Sequence, residues 1–167
     1  MQSNKIIYPM KELIVKSIEN EGVVTMYTLQ FLDENSSEFD KFVKRFKDSA
    51  KLKRDYQIIL YALSKISQNG ALERYFRPEG KMSDRVCALP VDSGMLRLYC
   101  LRITDKILII GNGGVKKTHT YEESEELLGY VIDLQKFDSL IRSEVANGSL
   151  TISETEIEDI TDKSFEI

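Results

Sequence analysis

Histidine occurs once in this chain, at position 119, and that scarcity excludes most nucleophilic triads. A Ser–His–Asp or Cys–His arrangement needs an imidazole with a strong partner, and none is signalled here. Cysteine is almost as scarce. Cys87 and Cys100 fall inside predicted strands at a spacing that fits no metal motif, so they read as buried free thiols. No apolar run approaches the roughly 18 residues of a membrane span. Residues 1–11 lack an apolar signal core, so the expected location is cytoplasmic. The run Gly111-Asn112-Gly113-Gly114 lacks the G-x-x-x-x-G-K frame of a phosphate loop and reads as a bulge or turn. No paired-carboxylate or metal site stands out, and no cofactor is expected.

What is present is enough for one core. The 167 residues are 42% hydrophobic, which suits a single α+β domain over residues 1–150, with 1–22 as an N-terminal extension and 151–167 as an acidic tail. The net charge of −4 conceals a division. Residues 151–167 sum to −5, while 41–117 hold 17 Lys/Arg against 7 Asp/Glu, or +10. A basic middle attracts polyanions, although a solvated helix surface over 41–54 accounts for part of it. The tail, with Ile152, Ile157 and Ile160, reads either as disordered or as a strand awaiting a partner. It is also long enough to lie over the basic middle and compete with a polyanion there.

Periodicity orders the elements. Leu13–Ile18 and Val23–Leu32 flank Glu19-Asn20-Glu21-Gly22 as a hairpin. Asn35 with Glu38 reads as a helix cap, and Phe39, Phe42, Val43 and Phe46 follow at helical spacing. Leu52–Gln68 repeats that pattern and stops at Asn69-Gly70. Residues 71–83 read as a basic connection in which Pro78 and Gly80 exclude a regular element. Arg85–Val91 is the next strand, with Pro90 near its end or at an edge. Leu96–Ile103 alternates, with Leu96, Leu98 and Cys100 on one face and Arg97, Tyr99 and Leu101 on the other. Ile107–Ile110 is a buried strand that breaks at Gly111. Thr120 and Glu123 form a capping box for a last helix whose stripe runs from Leu127 to Ile141.

In this order, the Arg85 strand, the L-R-L-Y strand, the apolar strand, V-K-K-T and the closing helix resemble the RelE/HigB superfamily of bacterial type II toxin–antitoxin systems, in particular its HigB-like branch. The resemblance covers about residues 23–141. It implies an antiparallel sheet with a helical hairpin on one face and a C-terminal helix. It also implies a toxin that cuts mRNA without a metal, on the ribosome, under restraint by an antitoxin, which would be a helix-turn-helix protein. A homodimer is left open. Arg97 and the pair Lys116-Lys117 match the branch's arginine-bearing strand and lysine pair.

Metal-free RNA cleavage needs a proton acceptor for the 2′-hydroxyl, a proton donor for the leaving oxygen and cations on the phosphate. The candidate catalytic set is Arg97, Lys116, Lys117, His119 and Tyr121. Arg74, Arg77, Lys81, Arg85 and Tyr99 are the candidate RNA-binding residues, Tyr99 by stacking. Each has a plainer reading. Arg97 pairs with Glu73 or Asp92 on a solvent face, the two lysines protect a sheet edge, and His119 is a solvated loop residue. The same scaffold without chemistry would be an RNA- or protein-binding module.

Overall fold

The computed structural model describes residues 9–79, 84–92, 94–117 and 124–167. Among them lie seven strands in one sheet and three α-helices, so the chain is α+β. The strands are β1 (Glu12–Ile18), β2 (Thr25–Phe31), β3 (Arg77–Pro78), β4 (Val86–Leu89), β5 (Leu96–Thr104), β6 (Ile107–Val115) and β7 (Ser164–Glu166). Their order across the sheet is β3-β4-β5-β6-β2-β1-β7. Every pairing is antiparallel except β2 with β6, which run parallel over Thr25–Thr28 and Ile107–Ile110. That pairing joins the N-terminal hairpin to the central meander, so the hairpin is built into the sheet.

Both faces of the sheet are covered. Helices α1 (Glu38–Phe46) and α2 (Lys53–Asn69) bury Phe42, Phe46, Tyr56, Ile59 and Ile66 against Leu96, Leu98, Cys100, Leu108 and Ile110. Helix α3 (Glu125–Ala146) lays Leu127, Val131, Leu134, Phe137 and Ile141 on the opposite face, over Tyr99, Leu101, Ile107 and Ile109. A strand between two helical layers is apolar on both sides, and β5 and β6 are buried almost throughout. The alternation read in β5 therefore separates two cores. The face carrying Arg97 and Tyr99 is interior, not solvent-facing: Arg97 is 7% exposed and Tyr99 0%.

Local expectations are corrected in several places. Helix α1 is capped by Ser37, whose Oγ accepts from the Asp40 N–H at 3.1 Å, rather than by Asn35. Helix α3 begins under Ser124, whose Oγ accepts from the Leu127 N–H; Thr120 and Glu123, the expected capping box, lie outside the described residues. Helix α2 ends at Gly70, with φ of 108°, as the Asn-Gly signal implies. The 71–83 connection contains a short 3₁₀ turn at Glu73–Tyr75 and then β3, whose proline is tolerated because β3 is the sheet edge. The glycine run does not end β6 but continues it to Val115.

Residues 150–167 are part of the fold. Leu150, Ile157, Ile160 and Ile167 are buried in the α3-side core, and β7 pairs with β1. Lys11 and Ile167 exchange two backbone hydrogen bonds, of 2.7 and 2.9 Å. The acidic segment thus lies at the sheet edge opposite β3. The expectation that it covers the basic middle fails, since among the described residues Lys106–Glu154 is the one ion pair linking the two.

Candidate nucleic-acid interface

The expected cationic site falls where β5 begins and β6 ends, beside edge strand β3. Arg97 pairs with Gly114 across the β5–β6 ladder. Its Nη1 donates to the Gly94 and Leu96 carbonyls at 2.9 and 3.0 Å, which fixes the guanidinium close to the main chain. Neither Glu73 nor Asp92 serves as its ion-pair partner; Glu73 faces Arg102 instead. Burial lowers the Arg97 pKa, and the charge of Arg77 lowers it further, while Glu79 and Asp55 act in the opposite sense. Arg77 donates from Nε and Nη2 to the Val91 carbonyl, both at 3.3 Å.

Lys116 continues the ladder one residue past β6 by donating its N–H to the Met95 carbonyl at 2.7 Å. Its Nζ lies 3.7 Å from Glu79 Oε1, and both side chains are largely covered, at 8% and 6% exposure. Lys117 is exposed. The structure thus brings Arg77, Arg97 and Lys116 to one end of the sheet, with Glu79 among them. The required glycine is Gly113: a Cβ there would lie 1.8 Å from the Arg97 carbonyl oxygen. Only a residue without a side chain lets β6 pass β5 so closely.

Other expected members lie elsewhere. Arg85 donates from Nε to Asp138 Oδ1 at 2.7 Å and from its N–H to Oδ2 at 3.2 Å, and Arg142 adds a third bond at 3.2 Å. Asp138 is 1% exposed, so Arg85 belongs to a network tying β4 to α3. Tyr99 is enclosed in the α3-side core, which corrects its assignment as a stacking surface. Arg74 is exposed and packs over the Tyr75 ring, 5.3 Å from its centroid. Lys81, His119 and Tyr121 lie outside the described residues. Cys87 and Cys100 face each other across β4 and β5 as free, buried thiols, and burial pushes the Cys87 thiol up to about 12. A thiol held protonated is a poor nucleophile.

A second polar constellation was not anticipated. Beyond Thr28 and Ile110 the parallel strands separate. The β5–β6 register shift between Leu98 and Cys100 also places an extra residue in β6 at this point. This bulge holds Asn112, which is 5% exposed. Asn112 stands beside Glu38, at the start of α1, which is also 5% exposed and 2.6 Å from Lys41 Nζ. From α3, Asp133 accepts from Lys11 at 3.2 Å through both oxygens, and the Tyr130 hydroxyl donates to Glu126 at 2.9 Å. Lys11 also lies over the Phe31 ring, 5.1 Å from its centroid. Burial raises the pKa of both Glu38 and Asp133, against the pull of Lys41 and Lys11 respectively. A groove of about 610 Å³ opens over this crevice. The buried Glu38 and the half-buried Asp133 are each answered by a lysine of the same chain, and among the described residues no group of three or more potential metal ligands occurs. The members come from positions about 95 residues apart, Glu38 to Asp133, and only the parallel pairing unites them. Glu38, one of two acids in the first turn of α1, was the one available signal, and its burial is not legible in sequence.

No family model, curated protein or solved structure matches this chain. Among the described residues no helix is long and apolar enough to cross a membrane.

Proposed function

We propose that the chain is a cytoplasmic RelE/HigB-like toxin, a metal-independent mRNA endoribonuclease acting on the ribosome and restrained by an antitoxin. The observation that carries this reading is the gathering of Arg77, Arg97 and Lys116 at one end of a helix-covered sheet. Three cations around one carboxylate are suited to a phosphodiester whose charge grows in the transition state. A guanidinium pinned by two carbonyls is already oriented, so it needs little reorganisation when phosphate arrives. Exposed Lys117 adds backbone attraction. In this reading His119 and Tyr121 exchange protons with the 2′-hydroxyl and the leaving oxygen.

The test is primer extension on messages after controlled expression of the full chain and of Lys116→Met, which keeps the apolar stem. Lys116→Met is preferred to Arg97→Ala because loss of a buried, carbonyl-bonded guanidinium would disturb the fold. Cuts within translated regions, reduced about 100-fold in the variant, are expected. Intact messages with the wild-type chain would remove the enzymatic reading.

One observation favours a second reading, a binding module without chemistry. Arg97 spends donors on its own main chain and is almost covered, as a structural arginine does. RNA binding that falls steeply with salt, with no cleavage, would select this reading.

A further inference from the structure

The Lys116 side chain is 8% exposed, yet its charge partner is held loosely. The 3.7 Å separation from Glu79 is an ion pair but is too long for a hydrogen bond. Among the described residues Lys116 Nζ makes no hydrogen bond. An ammonium with no hydrogen-bonded protein partner keeps its donors available to an arriving anion. Glu79 also acts through its charge on the Arg97 guanidinium. It follows directly on β3, a two-residue edge strand, so it is carried by the least anchored part of the sheet. Among the described residues its backbone is held by one bond, from its N–H to the Val86 carbonyl at 3.2 Å.

We propose that Lys116, with Arg97 and Arg77 behind it, is an anion subsite for one phosphate of a nucleic-acid backbone, and that the Glu79 carboxylate fills it in the ligand-free protein. Phosphate binding then proceeds by exchange: the ligand oxygens take the lysine, and the carboxylate turns out to solvent at the sheet edge. No covalent step is involved. The exchange lowers affinity in the resting protein, because each arriving phosphate must first displace a resident negative charge. The RNA part of this inference rests on the function proposed above, whereas the anion subsite stands on its own geometry.

The experiment compares the full chain with Glu79→Gln, which keeps size and removes charge. Anisotropy of a short single-stranded RNA is followed across roughly 50 to 300 mM salt. Glu79→Gln is expected to bind about fivefold tighter, the effect of removing one unit charge near an anion at water-like dielectric. Its log–log salt slope should steepen by about 0.7, one further phosphate neutralised on a single strand. Adding Lys116→Met to that variant should abolish the gain. Equal or weaker binding by Glu79→Gln would overturn the proposal. Pyrophosphate separates the two layers of the argument. If neither protein binds RNA but pyrophosphate raises the melting temperature of Glu79→Gln more than that of the wild type, the RNA reading falls and the anion subsite stands. If pyrophosphate raises neither, the subsite falls. A measurement on the unaltered chain covers a variant that does not fold. Titration with pyrophosphate should shift the amide resonances of Val115 and Lys116, and shifts confined to other strands would overturn the assignment.

Discussion

Two glycines show how far one residue type can differ in its structural duty. A Cβ at Gly113 would meet the β5 backbone at 1.8 Å, and backbone cannot step aside as a side chain can. Gly113→Ala should therefore cost at least about 3 kcal/mol, the upper end of ordinary overpacking, as read by urea unfolding. Gly129 lies within α3 and has nothing within 4 Å of its Cβ position. Gly129→Ala should stabilise the protein by about 0.5–1 kcal/mol through helix propensity alone. From the sequence, the run 111–114 is legible as a bulge or a turn, and the structure shows a bulge within a continuing strand. The reason it is not a turn is the close approach of a neighbouring strand, which no local signal carries.

The acids of the crevice, Glu38 and Asp133, give a second prediction at this scale. Glu38 and Asp133 have pKa values raised by burial, so the folded protein holds protons there that the unfolded chain releases. The stability they contribute is full below the unfolded carboxylate range and is lost as pH rises through their folded values. Glu38→Gln and Asp133→Asn remove that dependence. Relative to the wild type, each variant should gain stability between pH 4 and pH 8 when denaturation midpoints are compared. A flat difference across that range would contradict the burial argument.

At the level of elements, the helices were legible because each buries one stripe. Phe42 and Phe46 of α1, Ile59 and Ile66 of α2, and Leu127 to Ile141 of α3 occupy the positions their 3.6-residue period assigns. The N-cap of α1 was not, since Asn35 and Ser37 are chemically equivalent candidates and only the backbone geometry chooses between them. The C-terminal segment was legible only as a choice between disorder and a strand awaiting a partner; the structure shows a strand, and a three-residue strand could not be located in sequence until its partner β1 was in place. Its contribution is testable. Ile160 is 1% exposed, and Ile160→Ala should cost about 2–5 kcal/mol in chemical denaturation. A chain ending at Ser149 loses Leu150, Ile157, Ile160 and Ile167 from the core, each worth roughly 1.5–3 kcal/mol. That total rivals the whole stability of a domain this size, so the truncated chain should lack a cooperative melt.

Across the whole molecule, charge and topology coincide. The strand order sets the cationic end of β3, β5 and β6 toward one edge of the sheet and the acidic C-terminal segment at the other. The imbalance of charge along the chain was plain in the sequence. Its separation to opposite edges was not, because it depends on β6 pairing with β2 rather than with a sequence neighbour. The candidate site divides in the same way: Arg97 and Lys116 were found from strand order, whereas Glu79 escaped because residues 71–83 carry no period.

The parallel pairing of β2 with β6 joins residues about 80 positions apart, and β1 waits longer still for β7. Such long loops must close before their contacts return any free energy, so refolding should fall in the millisecond-to-second range of non-local topologies, a range that stopped-flow fluorescence of the tyrosines covers. During translation the consequence is sharper. When a ribosome has released residues 1–110, the N-terminal hairpin has gained its parallel neighbour but still presents β1 as a bare edge, with half its backbone groups unpaired. That edge closes only after residues 164–167 leave the exit tunnel. From the emergence of residue 110 until residues 164–167 follow it, the nascent chain thus carries an open pairing edge, the interval in which a folding helper has most to protect.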